Sequence, residues 1–188
     1  MSNITKKVGV IVGSLRKESF NGKVASELIR LAPASLAAEK IEIGDLTIFN
    51  QDLDDENRTP QAWITFREKL KGFDAFLFVT PEYNRSVPPV LKNAIDVGSR
   101  PYGQNLWNAK PGAVISVSPG RLGGFGANHH LRQSLVFLNV PTMQQPEGYI
   151  AEVDKAIDAN GNFDERTITF LEGFMKEFAV WVATNSTK

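Results

Sequence analysis

Ser14, Arg16, Ser19 and Asn21 gather two hydroxyls, a guanidinium and an amide within the loop GSLRKESFN, directly behind the apolar run Val8 to Val12. An apolar periodic segment follows at once, so the pattern reads strand, loop, helix. A helix N-terminus carries unpaired N–H groups and a partial positive charge, which suits a phosphate. The loop is not a Walker A motif, because Val24 follows Gly22-Lys23 and Lys17 stands where the first glycine belongs. Nor is it G-x-G-x-x-G, so the triphosphate and dinucleotide fingerprints both fail. The phosphate of a mononucleotide cofactor is the expected ligand. A solvated loop capped by Ser19 or Asn21 is the competing reading. Charged hydrogen bonds give roughly 1.5–3 kcal/mol each, whereas micromolar binding needs about 8 kcal/mol net of ordering costs. A second surface must therefore hold the rest of the ligand.

Two further loops offer it. Thr80 to Pro89 (TPEYNRSVPP) has three prolines in ten residues, and proline fixes φ in a loop that must keep its shape. Its Glu82, Tyr83 and Asn84 N–H groups could meet the edge of a heterocycle, with Tyr83 packed beside it; the alternative is a rigid turn that starts the next helix. Ser118 to Gly126 (SPGRLGGFG) is glycine-rich, which permits either a tight turn or a close approach of backbone to a ring.

These loops need strands to hold them. Expected strands are Val8–Val12, Lys40–Asp45, Ala75–Thr80, Ala113–Val117 and Val140–Met143. Expected helices are Asn21–Leu31, one opened by Pro60, one opened by Pro88-Pro89, Asn128–Leu138 and Glu165–Thr184. A turn is expected at Asp158 to Gly161, and the acidic segment Gln51–Arg58 reads as a surface loop. Alternating strands and helices without repeat or composition break predict one α/β domain over residues 1–188. The five parallel strands should take the order 2-1-3-4-5, with ligands beyond the strands' carboxyl ends.

Composition narrows the partners. The 188 residues carry 21 Lys+Arg against 21 Asp+Glu, which disfavours nucleic acid. No cysteine is present, so disulfides and thiolate chemistry are out. The first apolar run is too short for a signal peptide or membrane span, giving a cytoplasmic expectation and no membrane partner. No metal site is expected: His129 and His130 point about 100° apart on a helix. Asp52, Asp54, Asp55 and Glu56 lack the glycine of a calcium loop and read as a solvated turn. Trp63 and Trp181 read as core. Trp107, in the polar loop Pro101 to Lys110, reads as a wall of a substrate pocket or an oligomer contact.

GSLR-x-x-S-x-N after the first strand, PEYN after the third, LKNAID at Leu91–Asp96, Gly123-Gly124 and HLRQ at His130–Gln133 occur in order along the chain. Together they resemble the NAD(P)H-dependent FMN reductase family, especially its bacterial quinone and chromate reductase branch. The resemblance implies a flavodoxin-like fold, bound FMN and NAD(P)H as co-substrate. Carried over by position, Ser14, Arg16, Ser19 and Asn21 would bind the phosphate. Pro81, Glu82, Tyr83 and Asn84 would line the ribityl chain and isoalloxazine, and Ser118 with the Gly123 backbone would meet the pyrimidine side. No side-chain role transfers to Phe125-Gly126-Ala127. The implied reaction is ping-pong transfer from NAD(P)H to a small-molecule acceptor: a quinone, a free flavin, an azo compound or an oxidised metal ion such as chromate. The cofactor would carry that chemistry, consistent with no catalytic triad or carboxylate pair in the sequence. A flavodoxin-type electron carrier is the alternative, though such carriers tend to be acidic. Members of the family are commonly homodimers or homotetramers.

Overall fold

The computed structural model describes residues 5–186. In chain order the elements are β1 (Lys6–Val12), α1 (Phe20–Arg30), β2 (Leu36–Ile41), α2 (Gln51–Asp55), α3 (Gln61–Lys71), β3 (Ala75–Thr80), α4 (Pro89–Gly98), β4 (Gly112–Val117), α5 (Phe125–Phe137), β5 (Gly148–Ile150) and α6 (Glu165–Asn185). All the strand pairs are parallel, in the order β2-β1-β3-β4-β5, the flavodoxin-like arrangement.

Strand alternation divides the interior in two. On one face Val8, Val10, Val12, Leu77, Val79 and Ile115 pack under α1 and α6. On the other, Ile11, Phe76, Phe78 and Val114 pack under α3, α4 and α5. The central strands β3 and β4 are buried along their whole length, as continuous apolar runs require.

Two strands lie elsewhere than their patterns suggest. β2 is Leu36–Ile41 rather than Lys40–Asp45, pairing Lys6 with Leu36 through Ile11 with Ile41. Ile43 is still buried, but β1 has by then run out of free edge, so the inward alternation outlasts the ladder. The fifth strand is Gly148–Ile150, not Val140–Met143. The earlier segment does run beside β4, where Met143 N–H donates to Gly112 O and Thr142 forms one bridge. Three residues then loop out, and pairing resumes at Ile115 with Gly148. The polar Gln144-Gln145-Pro146 stretch, with proline unable to donate, suits that excursion.

Gly148 is fixed by contact. A Cβ there would fall 2.6 Å from Val114 O and 3.0 Å from Ile115 Cα, both backbone atoms that cannot move aside. Gly148→Ala is expected to cost about 1–3 kcal/mol, read as a lower urea midpoint at unchanged m-value.

The acidic segment is a short helix, α2, rather than a loop. Its Asp54 turns inward to meet Arg67 of α3, so the solvated-turn reading fails at this residue. Trp63 is fully buried as expected, while Trp181 is half-buried and donates from Nε1 to Pro141 O at 2.8 Å. Trp107 is fully buried among Phe66, Phe76 and Phe78, which places it in the core and not in a pocket wall or at the surface. The Asp158 turn forms, its carboxylate accepting from the Asn160 and Asn162 N–H groups. No helix among the described residues is long and apolar enough to cross a membrane.

Candidate functional site

β1, β3 and β4 end side by side, and the three loops that leave them enclose a cavity of about 140 Å³. The first loop supplies Ser14, Arg16, Ser19 and Asn21. The second supplies Pro81, Glu82 and Tyr83, and the third Ser118. Asn84 and Gly123 lie outside the lining, while Phe20, Val117 and Pro119 join it without having been singled out by sequence. Whole-ligand sites enclose about 300–1,000 Å³. This cavity therefore has room for only part of a ligand of that size.

The first loop keeps its donors free. Ser19 caps α1 by accepting from Gly22 N–H at 3.1 Å, which leaves its hydroxyl proton available. None of the backbone N–H groups from Ser14 to Asn21 donates to another described residue. Arg16 is exposed and has no carboxylate partner among the described residues. Asn21 is 5% exposed, and its Oδ1 is a buried side-chain polar atom with no hydrogen-bond partner. Such an atom is costly unless a ligand satisfies it. A ligand hydroxyl could donate to it, and half a turn of the amide would aim the NH2 group at an anion instead.

A wider groove of about 770 Å³ continues from Ser14, Arg16 and Ser19 along the outer side of α1 to the 161–163 turn. Its Lys23, Arg30 and Lys40 are matched by Glu18, Glu27 and Glu42, whereas exposed Lys17 beside Arg16 has no carboxylate partner among the described residues.

The second loop is a two-residue hairpin. Tyr83 and Ser86 exchange both backbone hydrogen bonds, at 3.1 and 3.0 Å, and the central Asn84 and Arg85 have φ of 51° and 64°. Positive φ at both positions defines a type I′ turn. The Tyr83 N–H is therefore already committed to Ser86 O and cannot meet a ligand. Pro81 is buried, and Tyr83 is 45% exposed.

The third loop turns through Gly123 and Gly124, at φ of 57° and 75°. A Cβ on Gly124 would lie 2.9 Å from Ser116 Cβ, so both space and conformation demand glycine. Gly123 N–H donates to Gly120 O, and its carbonyl accepts from Ser116 Oγ at 2.7 Å. The Gly123 donor is thus spent within the loop. Ser118 Oγ accepts from Gly120 N–H at 3.0 Å.

Behind this turn lies a polar network with no spacing signal in the sequence. Fully buried Asn128 donates to Gly148 O at 3.1 Å and accepts from Arg132 Nε at 2.9 Å, while Arg132 donates onward to Met143 O. Burial lowers the Arg132 pKa from its usual value. On the rim, Tyr149 donates to Glu147 at 3.0 Å, so His129 must carry its proton on Nε2 to reach the Tyr149 oxygen at 2.8 Å. Burial, then the Glu147 carboxylate, raises the Tyr149 pKa. His130 Nδ1 lies 2.8 Å from Ser86 Oγ. No carboxylate engages its other ring nitrogen among the described residues, so this is no nucleophile–base pair of the triad kind. No cluster that could hold a metal ion occurs among the described residues.

A cavity with unpaired donors at one end and two shaped loops at the other is what a phosphorylated flat ligand requires. Residues 6–155 match the profile of the NADPH-dependent FMN reductases. The chain belongs to that family. A quinone reductase of Pseudomonas putida is 58% identical over 178 residues, covering 95% of both chains. A 2-hydroxy-1,4-benzoquinone reductase of a Burkholderia species is 45% identical over 177 residues, covering 94% of this chain and 96% of that one. Among solved structures, a flavoenzyme NAD(P)H:(acceptor) oxidoreductase from Paracoccus denitrificans superposes with a TM-score of 0.89 at 41% identity, covering 97% of this chain and all of the other.

Proposed function

We propose that this FMN reductase family member binds FMN across its three loops and reduces quinones at the expense of NAD(P)H. The observation that carries the reading is the cavity that Asn21, with its unpartnered amide oxygen, and the first loop with its free N–H groups share with Pro81–Tyr83 and Ser118–Pro119. Those groups fit FMN: an anion for the donors, hydroxyls for the amide and a flat ring for the open side. When bound, FMN would supply the redox chemistry by which NAD(P)H and a proton reduce a quinone to the hydroquinone.

The chain's own residues hold and orient. Ser14, Ser19 and the N–H groups of Phe20 and Asn21 donate to the phosphate, and Arg16 balances its charge. Pro81, Tyr83 and Asn84 form one wall for the ring, with the Glu82 and Asn84 N–H groups as donors. Ser118 and the Gly123-Gly124 turn form the other wall. Backbone donors aimed at the ring favour the extra electron density of its reduced form. One open face serves NAD(P)H and then the acceptor, which gives ping-pong kinetics and tolerance of free flavins, azo compounds and chromate. Val136 and Phe137 stand exposed on α5, a surface that a homodimer or homotetramer would cover. A cytoplasmic, single-domain enzyme without nucleic-acid or membrane partners suits the balanced charge.

An absorbance spectrum of the pure protein, then NAD(P)H and quinone titrations, tests this directly. A colourless protein that takes up no FMN would end the proposal, and flavin binding without nicotinamide turnover would make it an electron carrier. Arg16→Ala is expected to raise the FMN Kd about tenfold, the effect of one exposed charged contact; an unchanged Kd removes Arg16 from the phosphate site.

A further inference from the structure

Glu82 belongs to the hairpin loop, yet its carboxylate serves α5. Oε2 accepts from the Ala127 N–H at 3.0 Å, and Oε1 accepts from Arg85 Nη1 at 3.0 Å. The side chain is 11% exposed and borders the cavity between the loops. Gly124, at the N-cap of α5, has no side chain with which to cap the helix, so Glu82 supplies the missing acceptor from another loop. One turn further along the helix, His130 meets Ser86 at the other end of the hairpin. Just ahead of the first tie sits Gly126, where a Cβ would come within 2.9 Å of Glu82 Oε2 and 3.1 Å of Arg85 O. The hairpin is seated directly on the first turn of α5.

We propose that Glu82 is a positioning residue whose carboxylate pins the Pro81–Ser86 hairpin to α5, and so fixes the gap between the two walls of the ring site. The inference rests on the FMN reading above and adds an electrostatic consequence. The pin leaves a negative charge bordering the site, offset in part by Arg85 and by the positive end of α5. A nearby carboxylate opposes the arrival of electrons on a bound ring. Removing its charge while keeping its hydrogen bond should make the flavin easier to reduce.

The test compares Glu82→Ala and Glu82→Gln with the wild-type chain by three readouts. In flavin-free protein, Glu82→Ala is expected to speed amide exchange at Ala127 about tenfold or more, because a low-stability opening replaces a pinned turn. With FMN added, its Kd should rise about tenfold to a hundredfold, the loss of a charged hydrogen bond at the site. Glu82→Gln keeps an acceptor for the Ala127 N–H and should return both values to within about threefold of wild type, yet raise the midpoint potential of the bound flavin. Unchanged exchange at Ala127 in Glu82→Ala overturns the pin. An unchanged potential in Glu82→Gln overturns the charge effect. If wild type binds no FMN, the cofactor reading fails on its own, and the exchange measurement still decides the pin.

Discussion

Trp107→Ala is expected to lower stability by about 3–5 kcal/mol, the cost of emptying a large buried aromatic site. The indole is fully enclosed and meets Phe76 edge-on at 4.7 Å between ring centroids. Its Nε1 donates to Ile95 O at 2.9 Å, but that carbonyl also accepts from Ser99 N–H, so the variant orphans no backbone group. The loss is therefore almost wholly packing. Gly98 gives the ring its room: a Cβ there would lie 2.5 Å from Trp107 Cζ2. For a chain of this length the cost corresponds to a fall in Tm of about 6–20 °C. Trp107→Phe, which keeps most of the volume, should lose less than half as much, and neither variant should alter KM for the quinone at low temperature. A changed KM at preserved stability would return Trp107 to the substrate pocket.

Arg67→Ala is expected to cost a similar amount, about 3–5 kcal/mol, for a different reason. Arg67 donates to both oxygens of Asp54 at 2.8 and 2.6 Å and to Val97 O at 2.9 Å. The two side chains are only 10% and 4% exposed. Removing the guanidinium leaves a buried carboxylate with Thr59 alone as a donor. The hydrogen bonds from Arg67, aided by Thr59, hold the Asp54 carboxyl below its ordinary value despite burial. A lowered folded-state pKa contributes stability that is fully present above the unfolded value of about 3.9 and is lost as pH falls through the folded one. The gap between wild type and Arg67→Ala, measured by urea unfolding, should therefore be full at pH 7 and narrow below the ordinary Asp range. A gap that stays constant into acid would deny the pair its role. Asp54→Leu with Arg67→Leu together should cost much less than the sum of the single changes, because no lone charge is left inside.

These two sites also mark the boundary of what sequence can reveal. β3, β4 and the helices opened by Pro60 and Pro88-Pro89 are legible because an apolar run or a proline acts within a few residues. The first loop is legible for the same reason, since its hydroxyls, guanidinium and amide are contiguous. Asp54 and Arg67 are thirteen residues apart on separate helices, and nothing local distinguishes Asp54 from its solvated neighbours. Trp107 sits in a polar segment, and only the closure of α4 and β3 around it makes it core. The fifth strand escapes because its pairing resumes after an excursion, so the apolar run and the ladder do not coincide. Glu82 is readable as part of PEYN, but the direction of its side chain depends on α5, forty-five residues later.

The hairpin at Asn84 and Arg85 has one more consequence, in the time domain. Two non-glycine residues stand at positive φ, held there by the paired backbone hydrogen bonds of Tyr83 and Ser86, a conformation that costs an arginine about 1 kcal/mol or more. A loop already held in that shape has few alternatives to search when a molecule arrives. Association then becomes a docking event instead of a docking followed by closure, and residence time, more than capture, distinguishes one bound molecule from another. Under the ping-pong order proposed above, a wall that does not rearrange would keep each exchange as quick as departure itself.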